Sequence, residues 1–185
     1  MEADMVAALH SNDTRVVDRI MRRGFRVDGP CGRYASALHG AVEIASVKMA
    51  KHLCVRHRAN PNICYGVCPI HVAAVQCDPV MIETLIWLGA YRHVVTVDGD
   101  TPLHLLCTRG ILNEASLDHA RVRGCALLLL PGALETLPYN DRYETAADSL
   151  RFIAVCGDRR DASILMSIAN TIEYAGSVRY VSKRM

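Results

Sequence analysis

Apolar side chains fall at Val47, Ala50, Leu53 and Cys54, and again at Val80, Ile82, Leu85 and Ile86. Both sets keep the spacing of one helical face, so each predicts an amphipathic helix. Ahead of each lies a second, shorter apolar stretch that opens on a turn. Its clearest form is "DGDTPLHLLC", Asp98 to Cys107. Asp98-Gly99 signals a tight turn. Thr101 is a good N-cap, because its hydroxyl can accept from an otherwise unpaired backbone N–H. Pro102 then falls on the first helical position, where a missing donor costs nothing. The pattern predicts turn, capped short helix, short loop and second helix.

That unit recurs. "TPLHLLC" returns as "CPIHVAA" at Cys68 to Ala74 and "SALHGAV" at Ser36 to Val42, with His39, His71 and His104 separated by 32 and 33 residues. A second landmark keeps step: "RRGF" at Arg22 to Phe25, "HRANPN" at His57 to Asn62, "WLGAY" at Trp87 to Tyr91, and "LPGAL" at Leu130 to Leu134. A fixed period of this length marks a repeat architecture. The pattern resembles the ankyrin repeat, whose signature runs roughly D-x-x-G-x-T-P-L-H-x-A-A, then an apolar helix and L-L-L-x-x-G-A-D-x-N. The resemblance implies an all-α ankyrin-repeat solenoid of about five helix-turn-helix units with short β-hairpin loops. It also implies that His39, His71 and His104 are scaffold residues, each bonded to its neighbouring Ser or Thr and to the adjacent loop.

The expected organisation is a single domain over 1–185. An N-terminal cap at 1–29 is followed by units at 30–61, 62–94 and 95–134, a C-terminal cap at 135–176 and a tail at 177–185. In the cap, "YETAADSL" replaces the motif and puts Asp148 at the histidine position. Unit four is stretched: 28 residues separate His104 from Gly132, against 18 from His71 to Gly89, which places an insertion near 107–124. Ile44 and Ala45 stand where a glycine usually separates the two helices, and Arg58 replaces a glycine expected to be left-handed.

Composition narrows the class further. Aromatic residues are only 5% of the chain, so the core must come from Leu, Ile, Val, Ala, Met and Cys, which suits packed helices. A net charge of +2 does not argue for nucleic acid or acidic lipid. Arg15, Arg19, Arg22, Arg23, Arg26 and Arg33 cluster with Asp13 and Asp18, as on a solvated helix face. The start, "MEADMVAALHSND", is acidic and amphipathic, unlike a basic-then-apolar leader. The run "CALLLL" is too short to span a bilayer. Eight cysteines without a leader are expected to be reduced thiols of a cytoplasmic or nuclear protein.

Candidate chemistry is sparse. Cys64, Cys68 and His71 give C-x3-C-x2-H, which invites zinc. The repeat register already accounts for Cys68 and His71, and no fourth ligand is near in sequence. Cys77 with His71 could be drawn as a nucleophile pair, but no orienter or oxyanion hole accompanies it. Phosphate loops, H-E-x-x-H and G-x-S-x-G are absent. The expectation is no enzyme, no cofactor and no metal, with a cysteine- and histidine-dependent enzyme or a nucleic-acid-associated regulator as alternatives.

Ankyrin proteins usually hold partners against hairpin tips and the exposed side of the inner helices. Here that selects Arg33, Tyr34, Tyr65, Val67, Tyr91, Arg92, His93, Arg142 and Tyr143 on hairpins, and Val75, Gln76, Thr108 and Arg109 on inner helices. The resemblance implies a chain that is monomeric alone and binds another protein through a concave face. Such a chain acts as an inhibitor or adaptor of a signalling, transcription or ubiquitin-ligase component, with no small-molecule substrate and no membrane.

Overall fold

The computed structural model describes residues 1–110, 119–130, 139–156 and 159–181. Ten helices occupy these residues: α1 (Glu2–His10), α2 (Thr14–Arg22), α3 (Ala37–Glu43), α4 (Val47–His57), α5 (Pro69–Val75), α6 (Pro79–Trp87), α7 (Pro102–Leu105), α8 (His119–Leu129), α9 (Ala146–Cys156) and α10 (Arg159–Val181). The all-α class matches the expectation. Among the described residues there is no strand; one isolated antiparallel bridge joins Cys31 and Tyr34. The connecting hairpins are tight turns, closed in two cases by Thr96 N–H to Asp100 O and Asn140 N–H to Glu144 O, both at 3.0 Å.

Two compact units divide the chain: Met1–Ala73 with Val80–Tyr91, and Ala74–Pro79 with Arg92–Met185. In the first, α1 pairs with α2 and α3 with α4. Its interior holds Met5, Leu9, Leu38, Met49, Leu53, Ile70, Met81 and Leu85, all fully buried. In the second, α9 packs along α10, and Leu106, Cys125, Leu129, Leu150 and Ile172 are buried. The apolar side chains of both interiors are almost all aliphatic, Tyr34 being the aromatic one in the first, and polar His39, His71 and His104 are buried among them.

The backbone repeats as the sequence does. Asn12, Ala45 and Cys77 end the first helix of successive pairs with positive φ, at +54°, +53° and +50°. A left-handed residue reverses the chain between antiparallel helices, and here non-glycine residues carry the strain. Arg58 takes the expected left-handed conformation after α4, at φ +57°. The insertion expected near 107–124 begins as a wide π-type turn, Leu106–Gly110. Residues 111–118 and the Gly132-Ala133 landmark lie outside the described residues. The last helix continues beyond residue 176, to Val181.

The inner helices α3 and α7 start with a reciprocal cap, and α5 with one half of it. Ser36 Oγ lies 2.8 Å from His39 Nδ1 and accepts from His39 N–H at 3.3 Å. Thr101 Oγ1 does the same with His104, at 2.8 and 3.4 Å, and Cys68 N–H donates to His71 Nδ1 at 3.1 Å. Asp148 substitutes for the histidine in the same geometry: its Oδ2 accepts from Thr145 N–H at 2.9 Å and from Thr145 Oγ1–H at 2.7 Å. These hydrogen bonds hold the Asp148 carboxyl below its usual range, against the opposing effect of burial. The imidazoles do more than cap. His39 Nε2–H donates to Val67 O at 2.9 Å and His104 Nε2–H to Glu144 O at 3.0 Å, each reaching the following hairpin. Their partners therefore assign the neutral Nε2–H tautomer.

Truncating His104 to alanine removes the acceptor of the buried Thr101 N–H and hydroxyl, and one of the two donors to the Glu144 carbonyl. The variant should unfold about 1–3 kcal/mol more easily in urea without losing its helical circular dichroism at low denaturant. Burial also lowers the pKa of His39 and of His104 from 6.5. The unfolded chain therefore takes up protons first as pH falls. This contribution to stability should be complete above pH 6.5 and lost progressively below it. Urea midpoints measured across that window should fall with pH, less steeply in His39→Gln than in the wild type.

Candidate partner-binding hairpins

Hairpin geometry decides which side chains are presented. In the first unit, the same position after successive helix pairs carries an amide or carboxylate that ties one hairpin to the next. Asp28 Oδ1 accepts from Asn60 N–H at 3.0 Å. Asn62 Oδ1 accepts from Tyr91 N–H at 2.8 Å while its Nδ2 donates to Gly89 O at 2.9 Å. Tyr65 adds a third tie, its hydroxyl donating to Asp28 O at 2.7 Å. Its ring remains 52% exposed, and the Tyr91 ring, held only through its backbone, is 66% exposed. Val67 is partly exposed beside them, its carbonyl taken by His39.

Two expected surface residues of this unit are placed otherwise. Tyr34 is core, at 3% exposure. Gly40 makes room for it, since a Cβ there would meet the Tyr34 ring at 2.7 Å, and the phenol hydroxyl bonds His10 Nε2 at 2.9 Å. Tyr34 is therefore removed from the candidate surface. Arg33 is exposed but folded back: its Nη2 donates to Tyr34 Oη at 2.8 Å, and its guanidinium lies 4.8 Å from that ring's centroid.

In the second unit, His93 and Arg109 are exposed and Arg92, Val75, Gln76 and Thr108 are half-buried. The Thr108 hydroxyl donates to His104 O at 2.9 Å, as a helix side chain does when it closes on its own backbone. Arg121 caps the turn after α5, donating to Cys77 O at 3.0 Å and Gln76 O at 3.3 Å. Arg142 is exposed and spread between Glu144 at 3.3 Å and Asp100 at 3.8 Å. Asn140, on the same hairpin, is buried and structural: its amide donates to Asp100 Oδ1 at 2.9 Å. Tyr143 is the most exposed aromatic residue described, at 87%, and has φ +59°. It stands two residues before its cap, where Gly66 and Gly99 stand before theirs. A bulky residue in that conformation carries strain with no packing to offset it.

The cysteines fit a binding scaffold better than a catalyst. Cys64 and Cys68 are joined as a disulfide across the Tyr65-Gly66 tip, which corrects the expectation of eight reduced thiols. The two sulfurs of the C-x3-C-x2-H motif are thereby bonded to each other. Burial pushes the thiol of Cys31 up to about 11 and those of Cys54 and Cys125 up to about 12. Cys107, fully enclosed, is raised further. Such thiols carry almost no nucleophilic thiolate at neutral pH. Cys77 is itself completely buried.

Sequence reasoning passed over two features. Trp87 is 71% exposed, with Lys51 Nζ 5.9 Å from its ring centroid; its place within an apolar helical run concealed this. The Asn62 tie was also missed, although Asn62 falls on the closing Asn of the repeat signature.

No family model matches the chain. Curated relatives do. A BTB/POZ domain and ankyrin repeat-containing protein NPR5 from Oryza sativa subsp. japonica is 39% identical over 111 residues, covering 56% of this chain and 20% of the relative. A BTB/POZ domain and ankyrin repeat-containing protein BOP from Lupinus luteus is 37% identical over 108 residues, 56% of this chain and 21% of the relative. The regulatory protein NPR5 of Arabidopsis thaliana is 35% identical over 108 residues, with the same coverage. The chain carries an ankyrin-repeat region. It spans about a fifth of the length of the relatives it matches. The histidine caps and hairpin ties of this ankyrin-repeat region are the physical form of the repeat signature. Among its described residues, no helix is long and apolar enough to cross a membrane.

Gly99 tests the hairpin packing. It has φ +74°, and a Cβ there would meet the backbone nitrogen of Asp141 at 2.8 Å, besides the Asp141 carboxylate. Gly66 has φ +81° but open space around it. Gly99→Ala should lower unfolding stability by about 2 kcal/mol or more, and Gly66→Ala by about 1 kcal/mol. Equal effects in denaturant melts would mean that the Gly99 hairpin does not press on its neighbour.

Proposed function

We propose that this chain is a non-enzymatic protein-interaction module of a regulatory protein, recognising its partner through hairpin tips. The supporting observation is the pair Tyr65 and Tyr91: large exposed rings, the first held through its hydroxyl by the Asp28 carbonyl and the second through its backbone by Asn62. Tyrosine loses little conformational entropy on binding and supplies much contact area, so it often anchors interfaces. Prior fixing of the hairpins reduces the ordering cost further. The regulatory name of one relative and the ankyrin repeats named in others support the same reading. Buried, protonated thiols and the absence of phosphate-loop or hydrolase motifs are consistent with a binding role.

The partner is another protein, bound with the chain serving as inhibitor or adaptor. Tyr65, Val67 and Tyr91 supply the contacts of the first unit. Arg92, His93, Arg109, Arg142 and Tyr143 are the candidates of the second, with Val75, Gln76 and Thr108 half-buried beside them. Arg33 joins the surface only if it exchanges its bond to Tyr34 for one to the partner.

Affinity capture followed by mass spectrometry identifies the partner, and one paired variant tests the face. Tyr91→Ala with Arg92→Ala should unfold within about 1 kcal/mol of wild type, because the Asn62 tie uses only the Tyr91 backbone, yet lose about 2 kcal/mol or more of affinity. Lys48→Ala with Lys51→Ala, on α4, is the control and should retain binding. The opposite outcome would put the binding face on the α4 side.

A further inference from the structure

Asp18 on α2 and His52 and His57 on α4 meet at one point. His52 Nε2 and His57 Nε2 each lie 2.7 Å from the same oxygen, Asp18 Oδ1. The imidazoles stand edge to face, with centroids 5.2 Å apart and planes at 71°. All three side chains are partly shielded, with exposures of 28%, 20% and 16% for Asp18, His52 and His57. An isolated carboxylate has two oxygens over which to spread two donors; here both converge on one. Burial raises the Asp18 carboxyl, but the hydrogen bonds and charges of the two histidines outweigh it, and the net shift is downward. The acid is ionised at neutral pH.

We propose that Asp18, His52 and His57 form a divalent-metal site that clamps α2 to α4, and that zinc is the ion their chemistry fits. Two imidazole nitrogens and one carboxylate oxygen are a ligand set zinc accepts, with water completing four-coordination at a partly exposed site. Their donor atoms all lie within 4.8 Å of one another. Zinc bonds of about 2.0–2.2 Å place tetrahedral donors about 3.3 Å apart, so each Nε2 must part from Oδ1 by about 0.6 Å. Each imidazole must also move its proton from Nε2 to Nδ1, which frees the Nε2 lone pair for the ion. Partly exposed side chains on helix surfaces can rotate and exchange protons without backbone movement. The site goes beyond the partner-binding reading and does not depend on it. It also runs against the sequence expectation of no metal, which considered only ligands near one another in the chain.

The test uses the whole chain, stripped with chelator and titrated with zinc alone. Calorimetry should show one equivalent bound, and the melting temperature should rise with zinc concentration. Asp18→Asn, His52→Ala and His57→Ala should each lose tenfold or more in zinc affinity, with circular dichroism in chelator confirming that the variants fold. Cobalt substitution supplies a second readout: visible d–d bands without thiolate-to-metal charge transfer, unchanged in Cys64→Ser with Cys68→Ser. Magnesium, which prefers oxygen ligands, should give no shift. The proposal fails if zinc does not bind, if the folded Asp18 and histidine variants bind as tightly as wild type, or if the cysteine variant abolishes binding.

Discussion

A histidine that satisfies two separate parts of the chain with one ring organises much of this structure. His39 accepts through Nδ1 at the start of its own helix and donates through Nε2 to Val67 on the next hairpin. His104 repeats the arrangement with Thr101 and Glu144. The interior is aliphatic and non-directional, so it can bury helices but cannot set their register. The imidazole is polar, buried and fully committed, and leaving either nitrogen unpaired would cost more than the bond contributes. It therefore selects one spacing between helix and hairpin. Asp148 shows what is lost when the ring is replaced: the carboxylate closes the cap with Thr145, but it has no second donor to pass onward.

The hairpins inherit this order. Asp28 and Asn62 add side-chain bonds at one repeat position, so the exposed rings of Tyr65 and Tyr91 stand on a backbone that is already held. The strained, exposed Tyr143 occupies a comparable place in the second unit. A surface that spends its polar groups on rigidity and leaves its aromatic groups in water suits recognition of another protein. Enzymatic chemistry would need the reverse, with polar groups free and convergent.

Among the described residues, one group of side chains converges closely enough to hold a metal ion, Asp18, His52 and His57. It lies on α2 and α4 and uses no hairpin side chain. Binding through hairpins and metal clamping between helices use different side chains of the same unit, so each can be altered while the other is measured.

The sequence by itself determined what repeats. The period, the Ser or Thr beside His39 and His104, the left-handed turn at Arg58 and the all-α class follow from local rules that act within a few residues, and the recurrence multiplies their signal. It could not determine what distant residues do to one another. Tyr34 reads as a hairpin aromatic until Gly40, lacking a Cβ, admits its ring to the core. Arg142 reads as free until Asp100 and Glu144 share its charge. Asp18 is 34 residues from His52 and 39 from His57, with no motif joining them. Helix packing alone brings them together, because neighbouring repeats place residues about one period apart side by side.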